Sequence, residues 1–193
     1  LDAGNQFTIV PTYLPAEIVF SLIDDDAIII GAGFSGLYQL HFLRENLGLN
    51  VKILETADNV GGTWFWNRYP GARCDVESME YSYSFSEDLQ QEWDWTERYA
   101  TQPEILKYIN HVADRFDLRR DVQFNTRVSS AVFDEAASRW TVTTENGEVV
   151  NSQFCVMATG CLSAAKPPEI KGRELFKGES YHTGLWPHAP VDF

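Results

Sequence analysis

The sequence is poor in cationic side chains and has no long apolar run. It carries 15 Lys and Arg residues against 28 Asp and Glu residues, which gives a formal net charge of -13. Such a surface repels phosphate backbones and anionic lipids, so it argues against nucleic-acid and membrane partners. No Lys or Arg precedes Arg44, and every uncharged apolar run is far shorter than the ~20 residues of a membrane span. We therefore expect neither a signal peptide nor a transmembrane helix.

Cysteine is also scarce. Only Cys74, Cys155 and Cys161 occur, without a C-x-x-C pair or a cluster with histidine. An odd number at such spacings argues against a disulfide framework and against a zinc site, and it fits a reducing compartment. The 193 residues are 44% hydrophobic and 22% charged, which is enough to bury a core without cross-links. We expect a globular, cytoplasmic protein.

The first patterned stretch predicts a β-α-β unit. Residues 1–26 form a poorly patterned N-terminal lead, within which residues 14–23 could form a short helix. Residues 27–30 form a short β-branched apolar run that is followed by glycine, as expected of a buried parallel strand, and Val51–Leu54 is predicted as the next strand. Between them, leucines recur at the spacings of an amphipathic helix, at Leu37, Leu40, Leu43 and Leu47. The short connections predict an α/β, Rossmann-like domain with a parallel sheet flanked by helices.

The rest of the predicted domain combines a helix with a small antiparallel β-meander. Residues 101–104 read Thr-Gln-Pro-Glu, a capping box with proline in the first helical turn. Three strands and a turn into a fourth strand are predicted at residues 122–124, 128–133, 140–144 and 145–148. The meander is thus inserted at about residues 122–153, and a separate buried strand follows at residues 154–157. We expect this domain to span residues 27–162, with an ordered connection over residues 163–193.

A glycine motif joins the first predicted strand to its helix. The motif G-A-G-F-S-G spans residues 31–36, and its glycines permit a tight turn, the approach of a pyrophosphate and close helix–strand packing. The helix N-terminus offers free N–H groups and the positive end of its dipole to phosphates. Glu55 ends the second strand, where an acidic side chain accepts hydrogen bonds from ribose hydroxyls and repels a 2′-phosphate. The motif therefore predicts a dinucleotide site for NAD or FAD and argues against NADP there.

A second short motif bears on the choice between these two dinucleotides. Ala158, Thr159 and Gly160 end a later strand, after the predicted meander. This arrangement resembles the domains of flavoproteins that bind two dinucleotides, and it favours FAD over NAD.

Two longer segments carry a resemblance to a known family. Residues 61–75 read G-G-T-W-F-W-N-R-Y-P-G-A-R-C-D, and residues 176–187 read F-K-G-E-S-Y-H-T-G-L-W-P. The second segment satisfies F-x-G-x-x-x-H-x-x-x-W-P, the fingerprint of Baeyer–Villiger monooxygenases. From about residue 27 onwards the chain resembles the N-terminal FAD-binding portion of that family, of the phenylacetone and steroid monooxygenase type. Related N-hydroxylating monooxygenases share the glycine motif but typically lack the Trp-Pro ending.

The resemblance implies a flavoprotein oxidoreductase that uses FAD, NADPH and O₂ to convert ketones into esters or lactones through a C4a-peroxyflavin. The flavin supplies the difficult chemistry, while the protein binds, orients and excludes water. Two alternatives stay open. One is an FAD-dependent monooxygenase that acts on nitrogen or sulfur, and the other is a flavin-binding module without catalytic activity.

The resemblance also implies roles for individual residues. Asp75 is expected to hold an active-site arginine by a charge-assisted bond, although it could instead cap the turn that precedes it. His182, the fingerprint histidine, is expected to act structurally and dynamically, without transferring a proton. Arg73 and Cys74 are candidate contacts of NADP. The residues expected to bind FAD are Gly31, Gly33, Phe34, Ser35, Gly36, Glu55, Gly62, Thr63, Trp64, Trp66, Asp75, Tyr81, Val128, Ala158, Thr159 and Gly160.

The printed 193 residues hold no second G-x-G-x-x-G motif. The resemblance places the NADPH-binding domain of the same polypeptide, the arginine partner of Asp75 and most of the substrate pocket beyond residue 193. We therefore expect the 193-residue chain by itself to leave ketones unchanged. The purified chain is incubated with FAD, NADPH, air and a panel of ketones, and the products are analysed by gas chromatography. Ester formation above a control without protein would contradict this expectation.

Overall fold

A computed structural model of the chain describes residues 25–192. The predicted N-terminal lead, including the helix at residues 14–23, lies outside the described residues except for its last two. The strands are β1 (Asp25–Ile30), β2 (Val51–Leu54), β3 (Val122–Gln123), β4 (Val128–Asp134), β5 (Arg139–Thr144) and β6 (Val149–Met157). The first strand therefore begins two residues before the predicted domain boundary.

The helices lie mainly in the first two thirds of the chain. The α-helices are α1 (Phe34–His41), α2 (Thr63–Trp66), α3 (Glu87–Glu92) and α4 (Gln102–Arg115). A π-helical turn, Phe42–Asn46, extends α1, and short 3₁₀ turns occur at Ser78–Tyr81, Arg119–Asp121, Arg173–Leu175 and Thr183–Leu185. No helix among those described has both the length and the apolar character needed to cross a membrane.

The six strands form one sheet in the order β3-β2-β1-β6-β5-β4. The pairs β3–β2, β2–β1 and β1–β6 are parallel, whereas the pairs β6–β5 and β5–β4 are antiparallel. The predicted α/β class, with a parallel sheet and an antiparallel meander, is therefore confirmed. However, the prediction that the meander begins near residue 122 is wrong, because β3 follows the α4 crossover and pairs in parallel with β2.

Strand β6 is a second departure from the prediction. It is one continuous strand of nine residues, not a meander strand followed by a separate strand at residues 154–157. Its first half pairs with β5, with Ser152 opposite Trp140, and its second half pairs with β1, with Phe154 beside Ala27. Because no Gly or Pro occurs between Val149 and Met157, nothing in this segment interrupts the extended backbone.

The two faces of the parallel sheet are covered differently. On one face, Ile29 and Ile53 pack with Leu37 of α1 and Ile109 of α4. On the other face, Ile28, Ile30 and Leu54 pack against a group of small apolar side chains from the meander, namely Val128, Ala131, Val142 and Val150. Each fully buried branched side chain contributes about 1.5–3 kcal/mol relative to exposure. The two layers therefore hold the carboxyl edge of the sheet in a fixed position.

The capping box predicted for α4 is only partly realised. Thr101 is the N-cap residue and proline occupies the first turn, but the Thr101 side chain accepts no hydrogen bond from the helix. The Glu104 carboxylate instead accepts hydrogen bonds from the Thr96 backbone N–H at 2.8 Å and from its hydroxyl at 3.0 Å. The start of α4 is thus tied to the preceding loop.

The glycine turn between β1 and α1 generates a prediction about stability. A Cβ atom built on Gly36 would lie 1.9 Å from the carbonyl oxygen of Gly31. The substitution Gly36→Ala must push the helix away from the strand, and overpacking of this kind costs about 1–3 kcal/mol. The exposed neighbour in the same helical turn supplies the control, Ser35→Ala, which should change the free energy of unfolding by less than ~0.5 kcal/mol. Urea unfolding compares both variants with the wild type, and equal stability of the two variants would contradict this packing.

Candidate functional site

The carboxyl ends of β1, β2 and β6 meet at one edge of the sheet. The Gly31 N–H donates to the Leu54 carbonyl at 2.9 Å, and the Ala158 N–H donates to the Ile30 carbonyl at 3.0 Å. Because the chain leaves β1 for β2 on one side while β6 lies on the other, this edge is a topological switch point. Ligands of open α/β sheets bind in the crevice at such a point.

The glycine loop lies directly at this edge. Gly31 has a φ of +106°, and a Cβ atom there would lie 2.6 Å from the Ala158 carbonyl oxygen. Gly33 is the N-cap residue of α1, and no side chain caps the helix. The first N–H groups of an α-helix have no partners within the helix, so those of the first turn, which holds Phe34 and Ser35, are left for an external acceptor. The loop can therefore hold a phosphate group.

Glu55 lies beneath the glycine loop and is only 5% exposed. Its carboxylate accepts hydrogen bonds from the backbone N–H groups of Ala32 at 2.6 Å and Ala57 at 2.7 Å. Sequence reasoning predicted a contact with a ribose and missed this role in fixing the loop, for which the sequence contains no local signal. Each carboxylate oxygen keeps a second lone pair, so the predicted ribose contact stays a prediction compatible with both bonds.

A second backbone segment packs onto the glycine loop without side chains between them. Gly62 has a φ of +53°, and a Cβ atom there would lie 2.9 Å from the Gly33 Cα atom. The Gly61 N–H donates to the Ala32 carbonyl at 3.0 Å. Because two glycines lie back to back, helix α2, which begins at Thr63, stands beside the start of α1.

Aromatic side chains line the region beside these glycines. The Tyr81 ring lies 5.4 Å from the Trp64 ring and 5.3 Å from the Phe34 ring, both edge to face. Trp64 is buried, whereas Trp66 is 39% exposed. Burial raises the pKa of Tyr81, and the neighbouring Cys74 and Asp75 groups raise it further. The Tyr81 hydroxyl therefore stays protonated at neutral pH.

Asp75 lies on an exposed bend just after a short pairing of the chain with the segment that precedes α4. The Cys74 N–H donates to the Ala100 carbonyl at 3.1 Å, and Arg73 and Thr101 form an isolated antiparallel bridge. Within residues 25–192 the Asp75 carboxylate makes no hydrogen bond and no ion pair. The alternative interpretation, in which Asp75 caps a turn, is therefore not supported by a hydrogen bond. The carboxylate is available to bind a partner.

The two residues before Asp75 differ in what they can offer a ligand. Cys74 is only 4% exposed and packs with Trp64 and Ile105, so its side chain is buried. Its contact with NADP stays a prediction. Arg73 is exposed and donates to the Glu97 carboxylate at 3.2 Å. Since exposed ion pairs contribute only about 0–1 kcal/mol, Arg73 can exchange this partner for a phosphate. Its contact with NADP stays a prediction.

The remaining residues predicted to contact FAD lie in two other parts of the fold, the end of β6 and the start of β4. Ala158 packs against the start of α1, and Thr159 and Gly160 follow it at the carboxyl edge. Val128 is buried at the start of β4 with its side chain in the core beneath the sheet, so only its backbone can meet a ligand. The geometry thus brings most of the predicted residues to one edge, while Val128 lies on the meander and its backbone contact with FAD stays a prediction.

The fingerprint segment forms a short turn with a local hydrogen bond. The His182 Nδ1 atom accepts a hydrogen bond from the Gly184 N–H at 3.1 Å, which caps the 3₁₀ turn Thr183–Leu185. His188 is exposed, and its ring lies 5.6 Å from the Phe65 ring and 5.8 Å from the Trp66 ring. The chain beyond the fingerprint therefore contacts α2. The dynamic role expected of His182 stays a prediction.

The chain is similar in sequence to several monooxygenases over most of its length. The model of the family described as pyridine nucleotide-disulphide oxidoreductase matches residues 28–189. Phenazine N-monooxygenase PhzNO1 of Lysobacter antibioticus is 51% identical over 162 residues, which are 84% of this chain and 30% of that protein. A Baeyer-Villiger monooxygenase of Pseudooceanicola batsensis is 51% identical over 166 residues, which are 86% of this chain and 30% of that protein.

The chain is also similar to solved structures over most of its length. An oxidised steroid monooxygenase bound to NADP has a TM-score of 0.81 and 57% identity, covering 89% of this chain and 33% of that chain. OTEMO in complex with FAD and NADP has a TM-score of 0.77 and 48% identity, covering 84% of this chain and 31% of that chain. The chain therefore spans about a third of the length of these relatives.

The two backbone bonds of Glu55 generate a testable prediction. In the variant Glu55→Gln one acceptor oxygen becomes an NH₂ group, so one buried backbone N–H loses its partner and faces another donor. Such a loss costs about 1–3 kcal/mol of the free energy of unfolding. The control is Glu135→Gln in an exposed turn, which should change it by less than ~0.5 kcal/mol. Urea unfolding followed by circular dichroism measures both, and an unchanged Glu55→Gln variant would contradict the assigned contacts.

Proposed function

The chain belongs to the pyridine nucleotide-disulphide oxidoreductase family, and we propose that it is the FAD-binding part of a Baeyer–Villiger monooxygenase that uses NADPH and O₂ to oxidise ketones. One observation carries the proposal. A glycine-rich loop packed closely against backbone, a buried carboxylate and an uncapped helix N-terminus meet at the switch point of a parallel sheet. The likeness to Baeyer-Villiger monooxygenases supports the same conclusion.

The residues at the edge fit FAD in their chemistry. The start of α1 would bind the pyrophosphate through backbone N–H groups and the helix dipole. Glu55 would accept hydrogen bonds from the adenosine ribose. The flat, aromatic isoalloxazine ring matches a wall built from Trp64 and Tyr81, and these rings would also exclude water from it.

The protein's own contribution to the reaction is binding and orientation. When bound, the flavin would accept reducing equivalents from NADPH and activate O₂ for transfer to the substrate. Asp75 would hold an arginine of the absent part of the polypeptide by a charge-assisted, bidentate hydrogen bond. That guanidinium would then stand at a fixed place, where it stabilises the negative charge that develops during oxygen transfer.

A second candidate function is oxygenation of a ring nitrogen. The relative from Lysobacter antibioticus, named as a phenazine N-monooxygenase, is as similar to this chain as the Baeyer-Villiger relative is. We favour ketone oxidation because Trp186 and Pro187 complete the longer fingerprint. Both functions would use the same FAD site, so the substrate offered to the enzyme distinguishes them.

We also infer a cytoplasmic location. The three cysteines are free, and Cys74 is buried while Cys161 is exposed. An exposed free thiol persists in a reducing compartment, which supports this location.

The proposal is tested on the full-length protein. Purified protein is expected to carry FAD, to consume NADPH and O₂ with a panel of ketones, and to release esters or lactones. N-oxides formed from phenazines, with no ester from any ketone, would favour the second candidate. Absence of a flavin spectrum together with no NADPH oxidation would contradict both.

The role of Asp75 gives a sharper prediction. The variant Asp75→Asn should keep FAD but lose about 10²-fold in kcat with a ketone, the cost of losing one preorganised charge interaction in the transition state. The matched control is Glu80→Gln, which removes an exposed carboxylate from the neighbouring 3₁₀ turn and should leave kcat unchanged. Equal kcat values in both variants would contradict the role of Asp75.

A further inference from the structure

Ser78 is a buried polar residue midway between two residues of the proposed site. It follows Asp75 by three positions, precedes Tyr81 by three positions, and is only 2% exposed. We propose that Ser78 is a positioning residue, which fixes where Asp75 and Tyr81 stand relative to the bound flavin. This inference rests on the proposed function.

Three hydrogen bonds hold Ser78 to the segment before α4. Its N–H donates to the Arg98 carbonyl at 2.8 Å, and its hydroxyl donates to the Glu97 carbonyl at 2.6 Å. The same hydroxyl oxygen accepts the Ala100 N–H at 2.8 Å. A single hydroxyl therefore satisfies one donor and one acceptor of the opposite backbone.

Few other contacts could replace the hydroxyl. Ala100 is fully buried, so its N–H cannot turn to water when the hydroxyl is removed. The ion pair between Arg98 and Glu77 is exposed on both sides, and such pairs contribute little. Residues 75–77 are themselves exposed. Two backbone hydrogen bonds remain without the hydroxyl, from the Cys74 N–H to the Ala100 carbonyl and from the Ser78 N–H to the Arg98 carbonyl. Loss of the hydroxyl therefore removes two of the three bonds of Ser78 and loosens the chain on the C-terminal side of Cys74.

The position of Asp75 depends on its backbone because its carboxylate has no bond of its own among the described residues. Tyr81 depends on the same backbone for its edge-to-face contacts with Phe34 and Trp64. A displacement of a positioned group by about 1 Å can cost 10²-fold in rate. Ser78 therefore acts on the reaction through Asp75 and Tyr81 without touching the cofactor.

The test uses the full-length enzyme with variants at two buried serines. Ser78→Ala removes the hydroxyl, Ser78→Thr keeps it, and Ser78→Cys replaces it with a slightly larger thiol that weakens both hydrogen bonds. The matched control is Ser152→Ala. Ser152 is also fully buried and donates its hydroxyl to the Phe154 carbonyl at 2.8 Å, but it pairs with Asp25 at the opposite edge of the sheet.

We expect Ser78→Ala to retain FAD with a shifted visible spectrum, to lose about tenfold or more in kcat, and to keep the KM for the ketone. A larger share of the NADPH should be consumed without product. Ser78→Thr should recover kcat, Ser78→Cys should fall between the two, and Ser152→Ala should keep both kcat and the spectrum. Wild-type kcat and spectrum in Ser78→Ala or in Ser78→Cys, failure of Ser78→Thr to recover, or an equal loss in Ser152→Ala would overturn the proposal.

Hydrogen exchange of backbone amides separates this proposal from the proposed function. In Ser78→Ala, or in Ser78→Cys if the alanine variant does not fold, exchange should quicken at Ala100 and across residues 75–81 and nowhere else. This readout needs no turnover. If the wild type binds no FAD and oxidises no ketone, the proposed function fails, while unchanged exchange at residues 75–81 would by itself overturn the positioning role.

Discussion

The candidate site depends on backbone lying against backbone at distances that no side chain could occupy. The turn after β1 touches the carbonyl of Ala158, helix α1 passes over the carbonyl of Gly31, and Gly62 packs against Gly33. These contacts bring three separate segments of the chain to the carboxyl edge of the sheet. The Glu55 carboxylate fixes the arrangement from below by accepting hydrogen bonds from the buried backbone N–H groups of Ala32 and Ala57. Everything assigned to the aromatic wall and to Asp75 presupposes that these segments meet.

Local sequence patterns were enough to predict the parts of the fold whose contacts are close in sequence. The β-branched runs, the leucine spacing and the glycine motif predicted β1, α1 and β2, because each pattern reports one element and its immediate neighbour. The strand pairings were harder to predict. The two-residue strand β3 joins β2, and β6 serves both halves of the sheet. These partners lie far apart in the chain, so no local period could assign them.

The site could be predicted only in part for the same reason. The residues of the glycine motif and Glu55 were found because their spacing follows from one β-α-β unit. The burial of Cys74 and the anchoring of Ser78 arise from pairing with residues 97–101, and the contact of His188 with α2 joins parts more than 100 residues apart. The residue types in these segments do not indicate which residues they contact. The resemblance to a family identified the region of Asp75 but not the backbone that holds it.

The central claim is that this edge of the sheet recognises the adenosine half of FAD. Its most direct test is a fluorescence titration of the flavin-free full-length protein with FAD and, separately, with FMN, which carries the same ring but lacks that half. We expect FAD to bind at least about tenfold more tightly than FMN, a difference of roughly 1.4 kcal/mol. Equal dissociation constants for the two flavins, or no binding of FAD, would contradict it.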